Sequence, residues 1–202
     1  MFLEHMCCTP DLRDDAVTEV LAVVRTPPDV ARPKLRQIVH ADFTDYTAIQ
    51  HQFTSLDACF YCLGVSAVGR SEAECTRVTH DYAPAAVRAL IAASPNLTLV
   101  YVSGEGTDPA GKSRQVWARV KGRTENDLRA LPLTAAGRRG RFPDPVLPRA
   151  LPCHRGHPPA AGAPLPRYVT TTDAVGRAML AAVRPDSNAP VLFRWACPWI
   201  LC

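Results

Sequence analysis

The chain has 202 residues, a formal net charge of +4 and 47% apolar residues. That length suffices to bury one core, and no apolar run approaches the roughly 18 residues that a membrane helix needs. Met1-Phe2-Leu3-Glu4-His5 is neither basic nor continuously apolar, so no secretory signal is read and a soluble cytoplasmic protein is expected.

Residues 19–24 are a β-branched run closed by Arg25-Thr26-Pro27-Pro28, the pattern of a strand buried on both faces. Residues 35–39 read as a second short strand, followed by Ala41-Asp42-Phe43. A weak helical pattern covers 47–53, and a third strand covers 57–63 and closes at Gly64. Over 76–93, Val78, Tyr82, Ala86, Val87, Leu90 and Ile91 recur at helical spacing until Pro95-Asn96 breaks the pattern. Residues 97–102 form a fourth strand that ends in Ser103-Gly104. A second long helix is predicted over 116–131, with Val120, Leu128 and Leu131 on one side. Strands alternating with helices predict an α/β fold, a parallel sheet of these four strands covered on both faces.

The character changes at Pro132. From there to Arg167 the chain carries nine prolines and no apolar period, so residues 132–167 are read as an irregular Pro/Arg-rich segment. Arg138, Arg139, Arg141, Arg149, Arg155 and Arg167 crowd it against one acid, Asp144. Such a patch attracts nucleic acid nonspecifically, but nothing shapes it into a reading element, and no specific nucleic-acid partner is expected. A helix follows over 168–183, with Val175, Met179, Leu180 and Val183 as its apolar stripe. It and the apolar tail, which has no clear period, are expected to return to the domain formed by residues 1–131.

Eight cysteines raise the question of a metal. Cys59 and Cys62 have the spacing of half a zinc knuckle, but the second half is missing. They lie in a strand pattern where cysteine packs as a small hydrophobe. No metal site is predicted, and disulfides are not expected in a reducing cytosol.

Ser103 stands at a strand end, and Trp117 and Lys121 follow four residues apart on a helix. This spacing resembles that of a nicotinamide-dependent reductase site, in which a tyrosine stands where this chain has Trp117. Together with 21–25, Ala41-Asp42-Phe43, 57–64 and 120–125, these residues resemble the atypical short-chain dehydrogenase/reductase family, in its branch of small NAD(P)-dependent epimerase-like proteins. The likeness covers about residues 17–131 and 168–183. It implies a Rossmann-like parallel sheet with helices on both faces.

The resemblance also implies roles. Arg25 would meet the adenosine ribose and pair with a 2′-phosphate, which favours NADP over NAD; it reads otherwise as a surface arginine at a strand end. Asp42 would meet the adenine amino group with Phe43 beside the ring; the other reading is a turn aspartate. Leu63, Gly64 and Val65 would pass under the cofactor, or Gly64 simply ends a strand. Ser103 would bond a substrate carbonyl and Lys121 the nicotinamide ribose, its charge lowering the pKa of the general acid. The bland readings are a strand cap and a solvated lysine.

Three departures qualify this picture. The family's first strand and glycine-rich, pyrophosphate-cradling turn are not found before Val17, and only the end of the first helix is read in residues 12–17. Trp117 is no titrating acid near neutral pH. Residues 132–166 resemble a stretch read in another frame, or a natural disordered insert. The expectation is an NAD(P)-binding oxidoreductase or epimerase-like protein, acting on a small carbonyl or hydroxyl compound but impaired in catalysis. The alternative is a non-catalytic NADP-sensing or protein-interaction module.

Overall fold

The computed structural model describes residues 13–27, 32–65, 67, 69–104 and 106–132, and the short elements at 134–135, 138–139, 172–183 and 192–195. The expectations for the rest of the Pro/Arg-rich segment and for the last seven residues lie outside the described residues.

The β-branched runs become strands at the expected places. Strands β1 (Val20–Val24) and β2 (Leu35–Val39) pair in parallel, Val20 opposite Leu35 through Val24 opposite Val39. Strands β3 (Ala58–Tyr61) and β4 (Thr98–Gly104) also pair in parallel, Ala58 opposite Thr98 through Tyr61 opposite Tyr101. Two residue pairs, β5 (Thr134–Ala135) and β6 (Arg138–Arg139), form a short antiparallel ladder inside the segment read as irregular. The tail supplies a strand that its sequence did not announce: β7 (Leu192–Trp195) lies parallel on the other side of β4, with Leu192 opposite Tyr101. The fold is thus α/β with short parallel sheets.

The single four-stranded sheet is not what forms. The order is β1-β2 in one sheet and β3-β4-β7 in another, and among the described residues no ladder joins β1 to β3. Val20–Val23 and Ala58–Phe60 are only half-buried, as expected of strands with open edges.

Helical structure begins earlier than the apolar spacing indicated. Helix α1 (Glu72–Thr76) starts at a capping box: Ser71 Oγ accepts from the Glu74 amide at 3.2 Å, and Glu74 Oε2 accepts from the Ser71 amide at 2.8 Å. The polar residues of this turn carry no apolar period, which hid it. A π-turn (Arg77–Asp81) links it to α2 (Tyr82–Ala93). A π-type bond to the Thr79 carbonyl must come from residue 84, which is proline and has no N–H. Thr124 Oγ1 lies 3.3 Å from that carbonyl instead. The weak helix over 47–53 contracts to one 3₁₀ turn, Gln50–Gln52, and the chain then reverses at Ser55, whose φ is 61°.

Helix α3 (Val116–Ala130) buries Ala118, Val120 and Leu128, and α4 (Thr172–Val183) buries Met179, Leu180 and Ala182. One apolar cluster includes Ile38, Phe43, Tyr61, Val87, Leu90, Tyr101 and Leu128, so both sheets share a core beneath α2 and α3. His80 clasps these helices together: Nδ1 is 2.7 Å from Asp81 Oδ1, and Nε2 is 2.7 Å from Asp127 Oδ2 on α3. Among the described residues no helix is long and apolar enough to cross a membrane.

Candidate functional site

The last residues of β4 face α3, and the loop between them determines the approach. Asp108 accepts backbone N–H bonds from Ala110 and Ser113, and its own amide donates to the Ala118 carbonyl at 2.9 Å. These bonds, led by the one from Ser113, hold its carboxyl below the usual range. The Asp108–Pro109 backbone crosses α3 at Gly122, where a Cβ would lie 2.2 Å from the Asp108 carbonyl carbon. Glycine there permits the contact, and the contact presses α3 onto the end of β4.

Ser103, Trp117 and Lys121 come together at this contact. Ser103 is 2% exposed and Lys121 is 4% exposed. Lys121 Nζ donates to the Val102 carbonyl at 3.0 Å and lies 5.6 Å from the Tyr101 ring centroid. Trp117 is half-buried against Gly104, and its indole N–H donates to Gln115 Oε1 at 3.1 Å. A residue without an assigned role organises the group. Glu125, at 0% exposure, accepts the Ser103 hydroxyl through Oε1, accepts Thr107 Oγ1 at 2.9 Å, and meets Arg129 Nη2 at 3.6 Å. A hydroxyl has one proton to give, so a carbonyl compound reaching Ser103 must compete with Glu125 for it.

Burial pulls Lys121 down to about 8, against the opposing pull of Glu125 and Cys62. Folding therefore disfavours the ammonium. Between about 8 and about 10.4 the unfolded chain holds a proton that the folded chain does not, so stability rises with pH across that window. Below it the full penalty applies, about 3 kcal/mol at most. Lys121→Met is expected to be more stable than the parent by about 1–3 kcal/mol at pH 7. The gain should shrink to nothing near pH 10.5, as read by urea unfolding at both pH values. A difference that does not change with pH would refute the buried ammonium.

Neither Tyr101 nor Tyr61 offers a proton near neutral pH. Burial pushes the Tyr101 phenol up, with the Glu125 charge adding to the rise, and burial does the same at Tyr61. Their rings stack at 5.9 Å. Both phenols are held neutral, and their ionisation lies far from neutral pH.

A second cluster forms where β1 and β2 end. Arg25 is exposed, yet its guanidinium lies 5.3 Å from the Phe43 ring centroid and 5.8 Å from that of Tyr82. Its Nη2 donates to the Tyr82 hydroxyl at 3.1 Å. Phe43 is buried and meets Tyr46 edge-on at 6.1 Å. Asp42 is exposed and folds back on its own loop: Oδ1 accepts from the Thr44 amide at 2.9 Å and from the Thr44 hydroxyl at 2.6 Å. These bonds, the hydroxyl's first, hold its carboxyl low. Leu63, Gly64 and Val65 follow β3, with Gly64 buried and Leu63 packed on the core.

Among the described residues no three His, Cys, Asp or Glu side chains group as metal ligands. Burial pushes the Cys59 thiol up to about 12, the behaviour of an inert core cysteine. Glu125 and Thr107 were not anticipated as members of either cluster, and Tyr82 was expected only on the apolar face of its helix. Glu125 had a visible signal, since it lies four residues after Lys121 and so on the same helix face. Thr107 and Tyr82 had none, because their partners are remote in the chain. No protein-family model matches this chain, and no curated protein matches it.

Proposed function

We propose that the chain is a Rossmann-type NADP-binding protein, related to the atypical short-chain dehydrogenases/reductases and impaired in catalysis. The observation that carries this reading is where the candidate residues lie. Arg25, Phe43, Leu63–Val65 and Ser103 all stand at or just beyond the C-terminal ends of strands in parallel pairs. In open α/β sheets, ligands bind outside those ends. The break between β1 and β3 supports it further. In a doubly wound sheet of order 3-2-1-4-5-6, the first strand lies between the second and the fourth. The edges of β1 and β3 that have no partner among the described residues are where such a first strand would run. Lys121 adds a third support, because a buried ammonium costs stability and is more readily understood as part of a binding site than of a core.

In this reading Arg25 takes the 2′-phosphate, Phe43 lies beside adenine, and Lys121 reaches the nicotinamide ribose. NADP, when bound, would exchange hydride with a small carbonyl or hydroxyl compound. The proton-relay part is deficient. Trp117 has no acidic proton near neutral pH, and the Ser103 proton goes to Glu125. Loss of a general acid alone costs about 10²–10⁴-fold in rate. The same two observations favour the second reading, a non-catalytic NADP sensor.

Calorimetric titration tests the cofactor. The unmodified chain is expected to bind NADP about tenfold or more tighter than NAD, since charge-assisted bonds to phosphate are worth about 1.5–3 kcal/mol. Arg25→Ala should abolish the preference, and equal affinities in the parent would refute it. A panel of aldehydes, ketones and nucleotide sugars should give no measurable NADPH oxidation. Robust turnover would overturn the impaired-catalysis part.

A further inference from the structure

Arg25 is the one group proposed to select the 2′-phosphate, and an exposed arginine is ordinarily a poor selector. Its long side chain samples many rotamers, and fixing one on binding offsets much of what the phosphate contact contributes. Here the guanidinium is already held. One nitrogen, Nη2, donates to the Tyr82 hydroxyl at 3.1 Å, and the plane lies over two aromatic rings, Phe43 at 5.3 Å and Tyr82 at 5.8 Å. Phe43 and Tyr82 are themselves buried and in contact, with ring centroids 5.8 Å apart. A guanidinium carries five N–H donors in a rigid fork. The Tyr82 bond therefore leaves the rest of the fork to face a ligand.

The fold has directed Tyr82 at this point. It is the first residue of α2, immediately after the π-turn at Arg77–Asp81. A π-turn adds a residue to the helix and rotates everything after it by about 100° relative to an unbroken α-helix. The His80 clasp to Asp81 and Asp127 fixes that turn on α3. Tyr82 thus reaches the end of β1 from a rigid helix start, not from a loop.

We infer that Tyr82 is a positioning residue for 2′-phosphate recognition: it holds the Arg25 guanidinium over Phe43, ready for the phosphate of an adenosine 2′-phosphate. This rests on the NADP reading and names the device behind its selectivity. The moiety recognised is adenosine bearing a 2′-phosphate. Because that fragment lacks the pyrophosphate, its binding makes no demand on a glycine-rich turn.

The test uses the full chain and two probes, adenosine 2′-monophosphate and adenosine 5′-monophosphate, titrated by calorimetry. The parent should prefer the 2′-phosphate. Tyr82→Phe keeps the ring and removes the hydroxyl. It should weaken the 2′-isomer about three- to tenfold and leave the 5′-isomer within about twofold, with an unchanged thermal midpoint. In an Arg25→Ala background the same change should have no further effect on either probe. Equal loss for both isomers would mean that Tyr82 merely supports the pocket. An unchanged 2′-isomer affinity, or a full effect persisting without Arg25, overturns the positioning role while leaving the NADP reading standing. No binding of the 2′-isomer by the parent, or no preference for it, overturns the NADP reading and this inference with it.

Discussion

Gly122→Ala is expected to cost about 3 kcal/mol or more and to lower the thermal midpoint by roughly 6–12 °C. Helix propensity alone predicts the opposite sign, because alanine favours a helix interior by about 1 kcal/mol over glycine. Packing decides the outcome. The added Cβ would lie 2.2 Å from both the carbonyl carbon and the oxygen of Asp108, and 2.6 Å from the Pro109 nitrogen. These are backbone atoms held by the Asp108 turn, so no rotamer change relieves the overlap. Either α3 lifts from β4, which separates Lys121 and Glu125 from the Val102–Ser103 strand end, or the 107–109 crossing tears away, which separates Thr107 from Glu125. Differential scanning calorimetry decides it, and a midpoint equal to or above the parent's would show that the crossing is not as close as described.

Glu125→Ala should cost about 2–4 kcal/mol, from two orphaned hydroxyls and an unfilled side-chain volume. Ser103 and Thr107 both give their protons to Oε1, and neither has solvent to turn to, since both are buried. Arg129 loses its ion pair but is one-third exposed and rehydrates. The loss is not larger because removing Glu125 also removes a buried carboxylate that was expensive to desolvate. Urea unfolding followed by tryptophan fluorescence should show a lower midpoint with an unchanged slope. A shift under about 0.5 kcal/mol would mean that the network carries little of the stability of this corner. Glu125→Gln should cost less, because an amide oxygen can still accept from both hydroxyls.

Much of the strand inventory was legible in the chain. The expected runs at 19–24, 35–39, 57–63 and 97–102 are rich in apolar, β-branched or aromatic residues with Pro, Gly or Asp nearby, and a parallel strand appears at each of the four. The two long helices were legible for the same local reason. What was missed has a local explanation too. Residues 71–75 carry three polar positions, Ser71, Glu72 and Glu74, with Ser71 and Glu74 forming a capping box, and they show no apolar period that would announce a helix. Residues 192–195 are too short to show a period and become a strand only by pairing with β4.

The site divides along the same line. Ser103 and Lys121 are identifiable by chain spacing because a strand end followed by a helix keeps their separation fixed in both sequence and space. Arg25 and Phe43 are identifiable as strand-end residues. Their contact partners are not. Glu125 meets Ser103 across 22 residues, and Arg25 meets Tyr82 across 57. Patterns of apolar residues report which face of an element is buried, never which remote side chain it will meet.

The sequence by itself therefore determined the kind of elements, their order, and the residue types placed at the strand ends. These follow from backbone propensity and periodicity, which act over a few neighbours. Only the tertiary structure decided that the strands divide between β1-β2 and β3-β4-β7, that the Ser103 hydroxyl turns to Glu125, and that the Arg25 guanidinium rests on Tyr82. Those outcomes depend on desolvation and on hydrogen-bond competition among groups far apart in the chain. A buried hydroxyl or ammonium takes whichever partner folding brings within reach.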